Sequence, residues 1–310
     1  MPQEKTWEMI VAPKKPIPLD SLEVIVAEGE PLNIGYKRPD LYREALDFWN
    51  KTLVENTLSR SSELSDALNK RDSERLARLT KQIAGNNPKF RMTRATLNGN
   101  KLYLALNSTS YEDFVGTNVQ AITNQDFRTR MMQAGLGDYG DVNHYFANPI
   151  AACAIIYGQD KSNRESEICV PISMRSNKVV IYPNVPHVFG GLVDLDEKTN
   201  KINLGHHIRT ELREEIGIED ERIGGALFYG IVRQKPSRHT EVILGIPVFA
   251  SSEEIKECWK NNASGKYESR NLTFYTISEL PGFLEQNMST MAPPGAAAIS
   301  LFLENIGGKR

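Results

Sequence analysis

Thr210-Glu211-Leu212-Arg213-Glu214-Glu215-Ile216-Gly217-Ile218 sets three glutamates into the last turns of a predicted helix, a place that electrostatics disfavours. Side chains three and four apart share a helix face, so Glu211 repels both later glutamates by about 0.2–0.5 kcal/mol per pair. Gly217 reads as the helix stop, and carboxylates near a helix C-terminus meet partial negative charge, a further cost of about 0.3–1 kcal/mol. A bound cation reverses both signs. Magnesium suits the position because it takes oxygen ligands, commonly one or two carboxylates with phosphate and water completing its shell. The same helix aligns Leu204, Ile208, Leu212 and Ile216 as an apolar stripe beside His207, Glu211 and Glu215. One stripe packs and the other faces a cleft.

Just upstream stands Gly190-Gly191-Leu192-Val193-Asp194-Leu195-Asp196-Glu197, whose paired glycines suit a strand-to-loop transition. Runs rich in β-branched residues precede it, at Ile150 to Tyr157, Ile168 to Met174 and Val179 to Tyr182. Strands at Ala226 to Val232 and Glu241 to Ala250 follow, then helices near Ser252 to Lys260 and Gly295 to Asn305. Strands on both sides of one helix predict a layered α/β arrangement. Asn148-Pro149 punctuates the chain before this half, so the predicted domains are 1–148 and 149–310. In the first, Leu41, Ala45, Phe48, Trp49 and Leu53 predict a helix over Leu41 to Thr57. A charged, solvated helix or helical hairpin is expected over Ser61 to Ile83. Asn98-Gly99-Asn100 joins Phe90 to Leu97 and Lys101 to Asn107 as a hairpin, and a helix at Gln125 to Gln133 leads into the glycine-rich Gly135 to Asp141.

The 310 residues balance 37 basic against 39 acidic side chains, so no global field draws in nucleic acid or an anionic membrane, and phosphate recognition must be local. That points to a small ligand. Cys153, Cys169 and Cys258 lack zinc-site spacing and the even count of a disulfide framework, which suits a reducing compartment. With no apolar run of membrane-spanning length and no signal-peptide core, the expected location is cytoplasmic.

Gly191, five residues, Glu197, and then the Glu211 to Ile218 string resemble the box of the Nudix hydrolases. Two departures are visible: the spacer before Thr210 is longer than the family's, and Thr210 stands where the family has arginine. Neither removes a carboxylate. The strings PKFRMTRATL (Pro88 to Leu97), TSYEDFVGTN (Thr109 to Asn118), GDYGDVNHYFANP (Gly137 to Pro149) and FGGLVD (Phe189 to Asp194) further resemble a eukaryotic Nudix branch that cleaves UDP-glucose and UDP-galactose. The resemblance implies a Nudix-type α/β/α sandwich with a mixed sheet, preceded by a smaller α+β domain that contributes to the nucleotide pocket. It also implies Mg2+-dependent hydrolysis, with Mn2+ as the alternative ion, to UMP and a sugar 1-phosphate. Hydrolysis of another nucleoside diphosphate derivative, of ADP-ribose or dinucleotide type, and a catalytically silent nucleotide-binding module remain the rivals.

On this basis Glu211 and Glu215 are the first candidates for metal ligands, Glu214 a further one, and Glu197 a more distant one that depends on the lengthened spacer. Glu214, Glu215 and Glu241 are the candidates for catalysis. By position in the branch, Tyr111 and Arg175 correspond to an aromatic and a basic residue of the nucleotide pocket, and Val180, His187, Leu192 and Asp194 to further pocket positions. Tyr111 could equally be core, Arg175 could serve a structural carboxylate, and Glu241 could be a solvent-facing edge-strand acid. Arg233, Lys235 and Arg238 could attract a diphosphate, and His239 could titrate near neutrality; a surface loop of the same composition is the plainer alternative.

Overall fold

A computed structural model describes residues 4–59, 61–72, 88–160, 167–193, 202–261 and 268–307. Strands β1 (Trp7–Val11), β2 (Ile17–Pro18) and β3 (Glu23–Glu28) precede helices α1 (Pro39–Ser59) and α2 (Ser61–Asn69). The hairpin β4 (Pro88–Asn98) and β5 (Lys101–Ser110) turns at Gly99, whose φ of 61° needs glycine, and α3 (Gln125–Tyr139) follows. Next come β6 (Ile150–Asp160), β7 (Glu167–Arg175), β8 (Pro186–His187) and β9 (Phe189–Leu192), then α4 (Leu204–Ile216). The chain ends with β10 (Leu227–Gln234), β11 (Thr240–Val248), α5 (Ser252–Asn261), β12 (Ser269–Thr276), α6 (Leu280–Asn287) and α7 (Pro293–Gly307).

Among the described residues, nine strands form one mixed sheet with the order β1-β10-β11-β6-β7-β12, to which β2, β8 and β9 are added at β10, β7 and β6. Only the β11–β6 pair in this sheet is parallel; β3-β5-β4 make a second, small sheet. The period-two alternation of β6 explains the layers. Ile150, Ala152, Ala154 and Ile156 point to the side of α4, packing with its Leu204, Ile208, Leu212 and Ile216. Cys153 and Ile155 point the other way, onto Ala296, Ile299 and Phe302 of α7. The sheet therefore lies between helices. Leu102, Leu104 and Leu106 of the small sheet join the α4-side core, whereas α1 and α3 close a separate cluster through Leu41, Ala45, Phe127 and Met131.

Two expectations change. Val179 to Tyr182 is irregular rather than a strand: Val180 and Ile181 pack against Trp49, Phe114, Tyr111 and Leu192, and positive φ at Tyr182 and Asn184 breaks extended pairing. The glycine-rich Gly135 to Asp141 is mostly helix, since α3 runs to Tyr139 and stops at Gly140 with φ 70°. Gly135 is small there because a Cβ would lie 2.5 Å from the Asp141 carbonyl oxygen. From the Pro-rich first residues, β1 and β2 pair with β10 and extend the sheet of the second half. Of the expected helix over Ser61 to Ile83, α2 covers the beginning, and residues 73–83 lie outside the described residues.

The three cysteines are free. No helix of the described residues is long and apolar enough to cross a membrane.

Candidate active site

The acidic helix starts at Asn203, whose side chain accepts the His206 amide at 3.0 Å, and ends at Gly217 with φ 76°. Its polar stripe lies on β9. Gly190 has φ 140°, and a Cβ there would fall 2.0 Å from the Ala152 carbonyl oxygen, so the strand can bend across β6 only as glycine. The freed Gly190 amide donates to Glu215 Oε1 at 3.1 Å. At Gly191 a Cβ would lie 2.8 Å from Glu211 Oε1, so the carboxylate rests on bare backbone. His207 Nε2 stands 3.3 Å from the Gly191 carbonyl oxygen and 3.7 Å from Glu211 Oε1, which makes it a buried member of the acidic stripe.

Glu215 is only 8% exposed. Burial, with Glu268 and Glu211 nearby, pushes its carboxyl well above the ordinary range, and the Gly190 amide and Arg175 offset only part of that. Such a desolvated acid, crowded by two others, calls for a cation. No three His, Cys, Asp or Glu side chains among the described residues converge as a ready cage. Glu211 and Glu215 nonetheless fit a magnesium ion, which needs only one or two protein carboxylates. Glu214 is exposed on the same helix, one position before Glu215. Asp194 and Glu197 lie outside the described residues.

A cleft of about 80 Å³ opens beside these acids, lined by Arg175, Tyr182, His187, Gly190, Gly191, Leu192, Gln234, His239 and Glu241 among others. Glu241 sits on β11 between Val232 of β10 and Ala151 of β6, in mid-sheet and buried, so it is no solvent-facing edge acid. Burial raises it to about 8, against the opposing pull of Gln234 and Arg175. Arg175 donates its Nε to the Ile181 carbonyl at 3.0 Å, fixing the irregular segment to β7 while its charge favours the ionised forms of Glu215 and Glu241. His187 is buried with Nδ1 lacking a hydrogen-bond partner among the described residues, and burial lowers its pKa well below the usual value.

Tyr111, Val180 and Leu192 are brought together in one cluster with Trp49 and Phe114; the Tyr111 and Trp49 rings meet edge-on at 6.0 Å. Leu192 also lines the cleft, so the aromatic wall and the acids are contiguous. A larger cavity of about 680 Å³ lies between Tyr157, Ile168, Phe249 and Glu253, with neither Gly190, Gly191 nor Glu241 on its walls. The smaller cleft is the better site because polar groups with shifted protonation converge there.

The basic loop is no exposed surface loop: its residues are buried or half-buried, and its cations are paired within the chain. Arg233 and Arg238 reach Glu8 at 3.5 and 3.1 Å, and Lys235 reaches Glu4 at 2.7 Å, which staples β1 to the hairpin. His239 does not titrate near neutrality: burial lowers it to about 4. Sequence reasoning missed Glu268, just before β12, and Gln234, whose amide donates to Glu241 at 2.6 Å. Neither has a local signal. The TSYEDFVGTN string also serves as a clamp, since buried Asn118 donates to Asn148 at 2.9 Å and to the Ser237 carbonyl at 2.8 Å.

No family model matches the chain. Among curated proteins it is similar to uridine diphosphate glucose pyrophosphatase NUDT22 of Homo sapiens, 25% identical over 236 residues, which are 69% of this chain and 74% of that protein. The Bos taurus protein of the same name is 24% identical over 70% of this chain and 78% of its own length. The chain therefore resembles the Nudix proteins. Solved structures to which the chain is similar include a mutT/nudix family protein from Listeria innocua, 16% identical, covering 52% of this chain and 94% of that one with a TM-score of 0.38. The NUDIX domain of Shewanella oneidensis NrtR, complexed with ADP ribose, is 15% identical and covers 56% and 97% with a TM-score of 0.35.

Proposed function

We propose that this Nudix-type chain hydrolyses the diphosphate bond of a UDP-sugar, UDP-glucose or UDP-galactose, to UMP and a sugar 1-phosphate. The observation that carries it is the packing of Glu211 and Glu215 on Gly190 and Gly191, two glycines that line the same cleft as Arg175 and Glu241. The name of the curated relatives supports the uridine nucleotide. Glu211 and Glu215 hold Mg2+, or Mn2+, with exposed Glu214 as a further ligand. The ion, when bound, supplies positive charge against the diphosphate.

The chain's own groups do the rest. Arg175 takes charge from a phosphate oxygen, and a guanidinium suits that task through its fork of donors. Glu241, whose carboxyl burial raises to about 8, accepts in its ionised form the proton of the attacking water at the oxygen that Gln234 leaves free. The uracil lies on Tyr111, Val180 and Leu192, and residues 1–148 contribute Tyr111 and Trp49 to that wall, while β1 and β2 belong to the sheet of the second half. His187 and Asp194 are further pocket residues in this reading.

A panel of UDP-glucose, UDP-galactose, ADP-ribose and a dinucleotide polyphosphate, followed by UMP or AMP release with Mg2+ and then with chelator, tests the proposal. UMP from the two UDP-sugars, abolished by chelator and reduced about 100-fold or more in E211Q and E215Q, is the expected result. Preference for ADP-ribose or the dinucleotide, or saturable binding without turnover, would overturn it.

A further inference from the structure

The side chain of Gln234 is 2% exposed and touches four groups, and their chemistry fixes every hydrogen in the network. Shape alone does not tell an amide nitrogen from its oxygen; the partners do. The Pro149 carbonyl oxygen can only accept, so His239 Nε2, 2.7 Å away, must donate to it. Burial keeps His239 neutral, so its Nδ1 carries a lone pair and accepts from Gln234 Nε2 at 3.3 Å. The amide oxygen then faces the other way, accepting from the Tyr182 hydroxyl at 2.7 Å and the Ser237 hydroxyl at 2.9 Å. One amide hydrogen remains. It goes to Glu241 Oε1 at 2.6 Å.

We infer that Gln234 is a positioning residue, which presents Glu241 to the cleft with one oxygen occupied and the other free, an inference that rests on Glu241 being the base proposed above. Tyr182 adds an independent sign of a functional constraint: it is a bulky residue at φ 49°, a conformation seldom held without compensation, and its hydroxyl bond to Gln234 supplies one. Because Tyr182 follows Val180 and Ile181, the same amide ties the segment of the aromatic wall to the acid on β11. Gln234 therefore registers nucleotide wall and base against each other. A carboxamide neither gains nor loses a proton near neutral pH, so Gln234 relays none between Tyr182 or Ser237 and Glu241. Glu241 must exchange its proton with the cleft.

Other charged and titratable groups about Glu241 are Arg175 of β7, Cys153 of β6, Tyr182, and His239 with Nδ1 at 3.6 Å. Among the described side chains around it, Gln234 is the one that donates a hydrogen bond to the carboxyl.

The test uses Q234L and Q234E in the full chain. The leucine variant removes the donor, and the glutamate variant keeps the bonds from Tyr182 and Ser237 while withdrawing those to Glu241 and His239 Nδ1, so a fold lost in Q234L leaves Q234E to decide. Expected are a fall in kcat of about 10- to 100-fold with KM changed by less than about 3-fold, and a Glu241 carboxyl 13C titration, followed with chelator present, whose midpoint moves to higher pH. An unchanged midpoint with wild-type kcat would overturn the inference, as would a loss confined to KM. If the wild-type chain cleaves none of the nucleotides, the proposed function falls, and the carboxyl titration still decides the role of Gln234.

Discussion

Glu215 and Gly191 show how one residue's environment becomes chemistry. Glu215 is costly to the chain without a cation, because burial and two nearby acids oppose its charge. Gly191 leaves the space in which Glu211 lies, with Oε1 only 2.8 Å from where a Cβ would stand. G191A should displace the tip of Glu211 and not the backbone, since the atom met is the far end of a flexible side chain. We predict at least about 10-fold slower UMP release in G191A, because displacement of a reacting group by an ångström is enough for such losses. Circular dichroism and melting temperature should stay near wild type; equal turnover would show that Glu211 does not act from this position. The three glutamates and the double glycine were legible in the sequence because each breaks a local preference. Glu268 and Gln234 were not legible, since nothing in their neighbours' identities marks which acid they will meet.

At the scale of elements, the β10–β11 hairpin carries two buried groups whose titrations oppose each other. Glu241 goes from an ordinary 4.5 to about 8 on folding, so its protonated form is favoured and stability falls as pH rises from 4.5 through 8. His239 goes from 6.5 to about 4, so the folded chain resists its protonation and stability falls as pH drops from 6.5 through 4. A tenfold change in proton affinity on folding is worth about 1.4 kcal/mol, so both slopes are within reach of urea unfolding. With chelator present, E241Q should flatten the loss on the alkaline side and leave the acid side in place. An unchanged alkaline slope would mean that Glu241 is solvated in solution. The clamp between elements can be tested as well. N118A leaves the Ser237 carbonyl and the Asn148 amide without partners, at a cost of about 1–3 kcal/mol in unfolding free energy. A stability equal to wild type would remove Asn118 as the link between the TSYEDFVGTN string and the hairpin loop.

For the whole molecule, cation binding and folding are linked, since an ion held by Glu211 and Glu215 binds only the folded chain. Mg2+ at about a hundred times its Kd should add about 2.7 kcal/mol to stability by mass action. The melting temperature should therefore climb with Mg2+ in wild type and stay level in E211Q; a rise of equal size in both would place the ion elsewhere. The sequence by itself determined what depends on local order: the helix with its apolar and acidic stripes, the glycines ahead of it, the β4–β5 turn at Gly99, and the apolar run that becomes β6. Tertiary structure alone decided where long-range partners meet. It took β1 and β2 from the Pro-rich start into the sheet beside β10, turned Val179 to Tyr182 from an apparent strand into a packed wall, and spent the basic loop on Glu4 and Glu8. Apolar content and charge say that a residue will find a partner; the partner is chosen by sheet order and register, and neither is encoded in any short stretch of the chain.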